Sequence, residues 1–376
     1  MRVDDRQLLS ELDLLGCIQC GKCTGGCPVS ITTPLNIRYL IYETLVGALP
    51  EAEHMEELWD CTCCFTCVER CPKDVRPAEL IISIRGQMVE SGKIPGTIST
   101  ALTGIFRQGN PLGFARDDRA AWAEGLDLKP AQEGCDTLLF TCCTSAYDLQ
   151  AQPAARALVR VLKAAGVDLG HLGTEETCCG NEVRRVGEKA MFEEMLVEEG
   201  RALLESVGAQ RIVTTSPHCF NTLKNEYGLH GIEVRHYSQV LAELLQEGRL
   251  TLSVSLDKTV TYHDPCFLGK QNKVFEEPRA VLRAIPGLNF VEMDRNRERS
   301  LCCEGGGGRM WFEGTNTEDR LAFRRVQEAV DTGAEILAVA CPFCLAMFSD
   351  AVKVKGLEER LKVMDIAELV AQALGG

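Results

Sequence analysis

Two runs of cysteine open the chain, and their spacing points to one chemistry. Cys17-x2-Cys20-x2-Cys23-x3-Cys27-Pro28 is followed by Cys61-x2-Cys64-x2-Cys67-x3-Cys71-Pro72. Three thiolates on so tight a loop take three corners of one iron–sulfur cube, and the loop is too short for the fourth cysteine to reach that cube. The fourth ligates the other cluster instead. Cys17, Cys20, Cys23 and Cys71 are therefore expected to hold one cubane [4Fe–4S] cluster, and Cys61, Cys64, Cys67 and Cys27 the other. Pro28 and Pro72 turn the chain away after the last ligand. Gly21, Gly25 and Gly26 let the backbone approach inorganic sulfide and donate N–H bonds to it. Zinc or unliganded core thiols are the plainer reading of one short run; two complete copies select iron–sulfur clusters. Cys63 falls outside the spacing and reads as a spare core thiol.

A second set of cysteines is laid out twice. Cys142 precedes Cys178 by 36 residues, and Cys266 precedes Cys302 by 36. Each repeat has a Cys-Cys pair, 178–179 and 302–303. Each then has a four-residue turn, Ser216-Pro217-His218-Cys219 and Cys341-Pro342-Phe343-Cys344. The offset between the repeats is 124 to 125 residues at these positions, which reads as two similar modules facing each other. In the second, Cys266, Cys302, Cys303, Cys341 and Cys344 all sit at expected strand ends or turns. Zinc needs four ligands, and no histidine holds a matching position. Five thiolates point to a larger iron–sulfur assembly. The first module retains Cys142, Cys178, Cys179 and Cys219, with Cys143 beside Cys142, but Ser216 stands where the second has Cys341. Its four thiolates suit a cubane cluster, or a noncubane one completed by Ser216 or Cys143; alternatively this module has lost its metal and frames a pocket.

Composition narrows the setting. The chain has 376 residues, a net charge of −14 and 45% apolar residues, enough for two or three domains with a sizeable core. An acidic balance and only 6% aromatics argue against a nucleic-acid partner. The start, Met1-Arg2-Val3-Asp4-Asp5, carries no apolar signal region, and no apolar run approaches a membrane span. A cytoplasmic protein is expected, at most peripheral to a membrane through a partner. Twenty cysteines there imply metal, because the cytosol keeps thiols reduced.

The elements that must position these thiols divide the chain. Residues 1–95 carry short helical patterns, including Leu35–Leu49 and Glu51–Trp59, and read as an α-helical ferredoxin-like domain for two clusters. Residues 96–134, with Gly-Asn-Pro-Leu-Gly at 109–113 and Lys129-Pro130, read as a linker over a neighbour. From 135 on, strand candidates at 137–141, 211–215, 258–262 and 335–340 alternate with helix candidates at 154–165, 188–207, 318–332 and 366–374. Each repeat closes with a short strand and an apolar helix, around Val234–Leu245 and Val363–Leu374. That alternation predicts parallel α/β modules at 135–250 and 251–376. The fold class expected is α + α/β.

The pattern Cys266…Cys302-Cys303…Cys341-x2-Cys344 resembles the cysteine-rich CCG domain of heterodisulfide reductase. The run Cys-Ile-Gln-Cys-Gly-Lys-Cys-Thr-Gly-Gly-Cys-Pro at 17–28 is similar to that enzyme's small iron–sulfur subunit. The two are fused here in the order of its D-type subunit, and the resemblance covers nearly the whole chain. It implies a noncubane [4Fe–4S] cluster on Cys266, Cys302, Cys303, Cys341 and Cys344. It also implies an oxidoreductase subunit that works in a multi-subunit complex. Related fused chains serve sulfite-reduction membrane complexes, glycolate and lactate oxidases, and electron-bifurcating or benzoyl-CoA-reducing complexes. Glu304 departs from the family, which commonly has Gly after the pair. It reads either as a carboxylate tuning a cluster or carrying protons, or as an exposed loop residue. His263 and His218, each within three residues of an expected ligand, read as proton donors to a leaving thiolate or as structural histidines.

Two functions follow from these parts. One is a heterodisulfide-reductase-like enzyme acting at Cys266 and Cys303, with His263 and Glu304 beside them. The other is a relay between a flavoprotein and another acceptor. A substrate-sized pocket beside Cys266 and Cys303 would favour the first. Gly305–Gly308 lacks the strand–turn–helix setting of a nucleotide loop, so flavin or nicotinamide is expected on a partner, whether a flavoprotein, another redox subunit or a membrane subunit.

Overall fold

Runs rich in Val, Ile, Leu and Thr alternate with amphipathic helices from residue 129 onward. In the computed structural model, which describes residues 9–48 and 56–374, they form two all-parallel sheets. The strands of the first are β1 (Lys129–Pro130), β2 (Thr137–Phe140), β3 (Leu169–His171), β4 (Arg211–Thr214) and β5 (Glu233–His236), in the order β1-β3-β2-β4-β5. The second holds β6 (Thr259–Tyr262), β7 (Asn289–Phe290), β8 (Ile336–Val339) and β9 (Lys362–Asp365), in the order β7-β6-β8-β9. The expected strands are present, trimmed at their ends, and the fold is α + α/β. Both faces of β2 and β8 are covered, and all four residues of each are buried, as parallel pairing under crossover helices requires.

Each module repeats one path. After β2, β3, β4 and β5 come helices Gln152–Ala164, Glu198–Ser206, Pro217–Asn225 and Tyr237–Gln246. After β6, β7, β8 and β9 come Glu276–Ala284, Leu321–Asp331, Pro342–Val354 and Ile366–Ala373. The helix expected at 188–207 contains a π-helical stretch, Met191–Val197, before its α-helical end.

The modules dock reciprocally. The last helix of the second packs on Gln152–Ala164 of the first, and Tyr237–Gln246 of the first packs on Glu276–Ala284 of the second. Leu158, Leu162, Leu241, Leu244, Leu282 and Leu369 are buried in one core that spans both sheets. Each such leucine contributes about 2 kcal/mol by burial, so this helix seam is what keeps the two sets of strand ends facing one another.

The N-terminal part is helical. Asn36 caps helix Ile37–Leu45 by accepting from the Tyr39 N–H at 3.1 Å. Pro77 starts helix Pro77–Glu90, where its missing N–H costs nothing. Of the helical pattern at 51–59, residues 51–55 lie outside the described residues, as does Leu49; Glu56–Asp60 forms a 3-10 turn. The stretch at 96–134 carries more structure than its Gly- and Pro-rich composition indicates. Helix Gly96–Gln108 sinks Ile98, Leu102 and Ile105 into the N-terminal core, and Lys129–Pro130 becomes the edge strand β1.

Arg85, fully buried on helix Pro77–Glu90, clasps the three parts together. Its guanidinium donates to the carbonyls of Leu58 (2.6 Å), Cys61 (2.7 Å), Arg185 (3.0 Å) and Gly307 (3.1 Å) and lies over the Trp59 ring. The glycine run reaches the same place. A Cβ on Gly307, whose φ is +67°, would stand 2.5 Å from the Cys61 carbonyl oxygen, so only glycine permits this approach.

Candidate functional site

All twenty cysteines are free thiols; eighteen collect into four groups, while Cys63 lies beside the second group and Cys135 stands apart against Gly170. The most exposed group lines a small cavity with Cys17, Cys20, Cys23 and Cys71, so the fourth cysteine of the second run joins the first three of the first run. The converse holds for Cys27. Burial and the neighbouring Cys64 push its thiol up, and the buried Cys67 is raised by burial and then by Cys64 and Cys27. Cys63 is buried with φ +48° and lies 3.5 Å from Arg85 Nη1.

The second group abuts the third. Thr62 Oγ1 lies 3.3 Å from Cys302 Sγ, and the Cys64 and Cys302 thiols touch. Lys270, buried, donates from Nζ to Thr66 Oγ1 at 2.9 Å and to the Ser300 carbonyl at 2.8 Å. Thr66 Oγ1 in turn lies 3.3 Å from Cys64 Sγ. A buried ammonium at this junction favours the anionic thiolates that iron binding requires.

In the second module the thiols touch in the order Cys266, Cys302, Cys303, Cys344, Cys341. Cys303 and Cys344 Sγ are 3.3 Å apart. His263 faces the same pair: its ring nitrogen and both sulfurs lie within 4.8 Å of one another. Arg325 Nε donates to His263 Nδ1 at 3.2 Å, and burial followed by that guanidinium holds the imidazole well below its ordinary range. Glu304 is buried, not on an exposed loop. Its N–H donates to Cys302 Sγ at 3.3 Å with φ +71°, as Gly180 does to Cys178 at 3.4 Å with φ +78°. Its carboxylate turns toward Arg320 (3.5 Å) and the Ala322 N–H (3.5 Å).

The first module shows the same kind of chain: Cys143, Cys178, Cys179, Cys219, Cys142. Arg119 Nη1 donates to Cys143 Sγ at 3.3 Å while its other arm pairs with buried Glu176 at 2.5 Å. Strand register corrects the equivalence drawn from spacing alone. Thr137 pairs with Arg211 as Val260 pairs with Ile336, and counting six residues on from each brings Cys143, not Cys142, level with Cys266. The equal 36-residue spacings arise because Cys143 precedes Cys178 by 35 residues whereas Cys266 precedes Cys302 by 36, so the one-residue difference is hidden when Cys142 is counted instead.

His218 bridges the modules. It sits between Phe267 and Phe343, at 4.5 and 4.4 Å, with Nδ1 2.9 Å from Glu182 Oε1 and a contact to Cys341. Burial alone would lower its pKa, but Cys341 and Glu182 raise it to about 10. Glu182 also accepts the Gly308 N–H at 2.7 Å, which ties the bridge to the glycine run.

A cavity of about 420 Å³ opens on the first module. Cys142, Cys143, Cys178, Cys179 and Cys219 line it together with His218, Glu182, Phe114, Leu149 and Trp311; Cys266 and Cys303 do not. Sequence reasoning missed Thr62, Lys270, Arg119 and Glu182, whose partners lie tens to hundreds of residues away and leave no local pattern.

Known proteins bear on these groups. The model of the cysteine-rich CCG domain matches residues 137–224 and 260–349, and that of the 4Fe-4S dicluster domain matches residues 13–75. The chain is 33% identical to the D-type subunit of the dihydromethanophenazine:CoB–CoM heterodisulfide reductase of Methanosarcina barkeri, over 98% of this chain and 95% of that one. It is 34% identical to the EtfAB:quinone oxidoreductase of Syntrophomonas wolfei, over 96% of this chain. It spans 58% of that relative's length. Among solved structures, a hypothetical protein from Helicobacter pylori shares the fold, with a TM-score of 0.57 at 11% identity, over 100% of this chain and 73% of that one.

Proposed function

This chain belongs to the family of heterodisulfide reductase D-type iron–sulfur subunits, and from that premise we propose that its four thiol groups form one electron path. As a member it is an iron–sulfur oxidoreductase of the electron-transfer kind. In the proposed arrangement Cys17, Cys20, Cys23 and Cys71 hold one cubane [4Fe–4S] cluster, and Cys61, Cys64, Cys67 and Cys27 hold the second. Cys266, Cys302, Cys303, Cys341 and Cys344 hold a noncubane [4Fe–4S] cluster, and the first module holds a further one. Free, mutually touching thiols fit such ligation, because thiolate is the ligand that iron–sulfur clusters take. When bound, these clusters supply one-electron transfer.

The observation that carries the reading is the contact of Cys64 and Thr62 with Cys302. It joins the ferredoxin-like part to the second module, and His218 then joins Cys341 to the first. Exposed Cys20 marks the end at which a partner would meet the path. The partner proposed is a flavoprotein or another redox subunit, with a membrane subunit as a further member; this would hold the chain at the cytoplasmic face. No helix among the described residues is long and apolar enough to cross a membrane. The name EtfAB:quinone oxidoreductase in a relative supports a place between a donor and an acceptor.

A second reading, chemistry such as disulfide reduction, moves from Cys266 and Cys303, which do not line the cavity, to the first module. The cavity gives access to the thiols of the first module, so a substrate would meet them there and not beside Cys266 and Cys303. Iron analysis and EPR of the anaerobically purified chain test the proposal. Signals and iron beyond two ferredoxin-type clusters are expected; iron matching those two alone overturns it.

A further inference from the structure

We infer that the first module holds its cluster through five thiolates, with Cys142 in the ligand role that Cys341 has in the second module, and that Ser216 is a helix cap and no ligand. This rests on the reading that the modules bind iron–sulfur clusters. It concerns which atoms of this chain do so.

Strand register is the first support. With Cys143 level with Cys266, Cys142 falls level with Pro265. The first module therefore has a cysteine where the second has a proline, and a serine at 216 where the second has Cys341. The two exchanges sit on neighbouring strand ends and keep the number of thiols at five.

Contacts give the second support. Cys143 touches Cys178, Cys178 touches Cys179, Cys179 touches Cys219, and Cys219 touches Cys142. The second module runs Cys266, Cys302, Cys303, Cys344, Cys341 in the same order, so Cys142 ends the series as Cys341 does. The backbone agrees, for the Cys142 N–H donates to Thr215 Oγ1 at 3.1 Å, which sets Cys142 against the residue preceding 216. All five thiols are buried and line one cavity.

Ser216 has another task. Its Oγ accepts the His218 N–H at 3.2 Å and caps helix Pro217–Asn225, whereas Cys341 makes no such bond at the start of Pro342–Val354. Serine is among the strong helix caps and a poor, hard ligand for iron, so the two chemistries sort themselves between 142 and 216.

The test uses the full chain, purified anaerobically, with iron per chain and low-temperature EPR as readouts. The ferredoxin-type signals serve as the folding control. Cys142→Ala is expected to lose as much iron as Cys178→Ala, about four atoms per chain, while Ser216→Ala keeps the parent's iron. Adding Ser216→Cys to Cys142→Ala should restore the lost iron and signal. Loss of iron in Ser216→Ala with retention in Cys142→Ala would assign the ligand to Ser216 and overturn the inference. So would a double variant with intact ferredoxin-type signals and no recovered iron. If Cys178→Ala loses no iron, the module binds no cluster, and the function proposed above fails along with its ligand.

Discussion

Thr62 Oγ1 stands 3.3 Å from Cys302 Sγ across 240 residues of sequence. The hydroxyl belongs to the loop of the second ferredoxin-like run, and the sulfur to the Cys-Cys pair of the second module. Both are buried, so the bond forms in a medium where electrostatic effects on a thiolate are strong. Once Cys302 is deprotonated, the hydroxyl donates to its sulfur, and hydrogen bonds to ligand sulfur stabilise the more negative, reduced state.

Thr62→Val keeps the shape and removes the donor. The reduction potential of the second-module centre is expected to fall by on the order of tens of millivolts, with iron content unchanged. An EPR-monitored redox titration checks this; an unmoved potential would show that the hydroxyl does not act on the sulfur.

Cys71 lines its cavity with Cys17, Cys20 and Cys23, not with the three cysteines just before it. Cys71→Ala should therefore damage the cluster of the first run and spare the one on Cys61, Cys64 and Cys67. Two-pulse EPR of the reduced protein separates the two, and loss of the buried cluster instead would refute crossed ligation.

Arg85 donates to four buried carbonyls drawn from all three parts of the chain. Arg85→Met fills similar space but leaves those oxygens without a donor. A loss on the order of 4 kcal/mol is expected, read as a lower denaturation midpoint in urea. Because Leu58 precedes the second run and Cys61 opens it, its cluster should also become the most oxygen-sensitive. A midpoint equal to the parent's would mean that the clasp contributes little.

His236 is buried, and burial holds its pKa at about 3, against 6.5 ordinarily. In the unfolded chain it takes up a proton as pH drops through its ordinary value, while in the folded chain it stays neutral until about 3. The unfolded state thus binds more protons in that window, and stability is lost as pH falls through it, by up to about 1.4 kcal/mol per pH unit. His236→Asn retains a capping side chain for helix Tyr237–Gln246 and does not titrate. Its thermal melting should decline less steeply than the parent's between pH of about 7.5 and about 5.5. Parallel declines would place the acid sensitivity elsewhere.

Much of this protein was legible in its residues. Spacing within one loop decides which thiols can share a cube, and hydrophobic alternation decides parallel strands. Both are short-range, so the two cysteine runs, the duplication and the α/β modules could be read from the chain alone. Glu304 shows where local reading stops: its place after the Cys-Cys pair was plain, but its burial and its left-handed turn were not. Strand register showed that Cys143 matches Cys266, because sequence offset counts residues in a connection while register counts positions on a sheet. Tertiary packing alone set Thr62 and Cys64 on Cys302, placed His218 between the modules and opened the cavity on the first of them. These contacts depend on how two helix seams and a buried arginine orient whole units, and such orientation is a sum over many weak, long-range burials that no single spacing records.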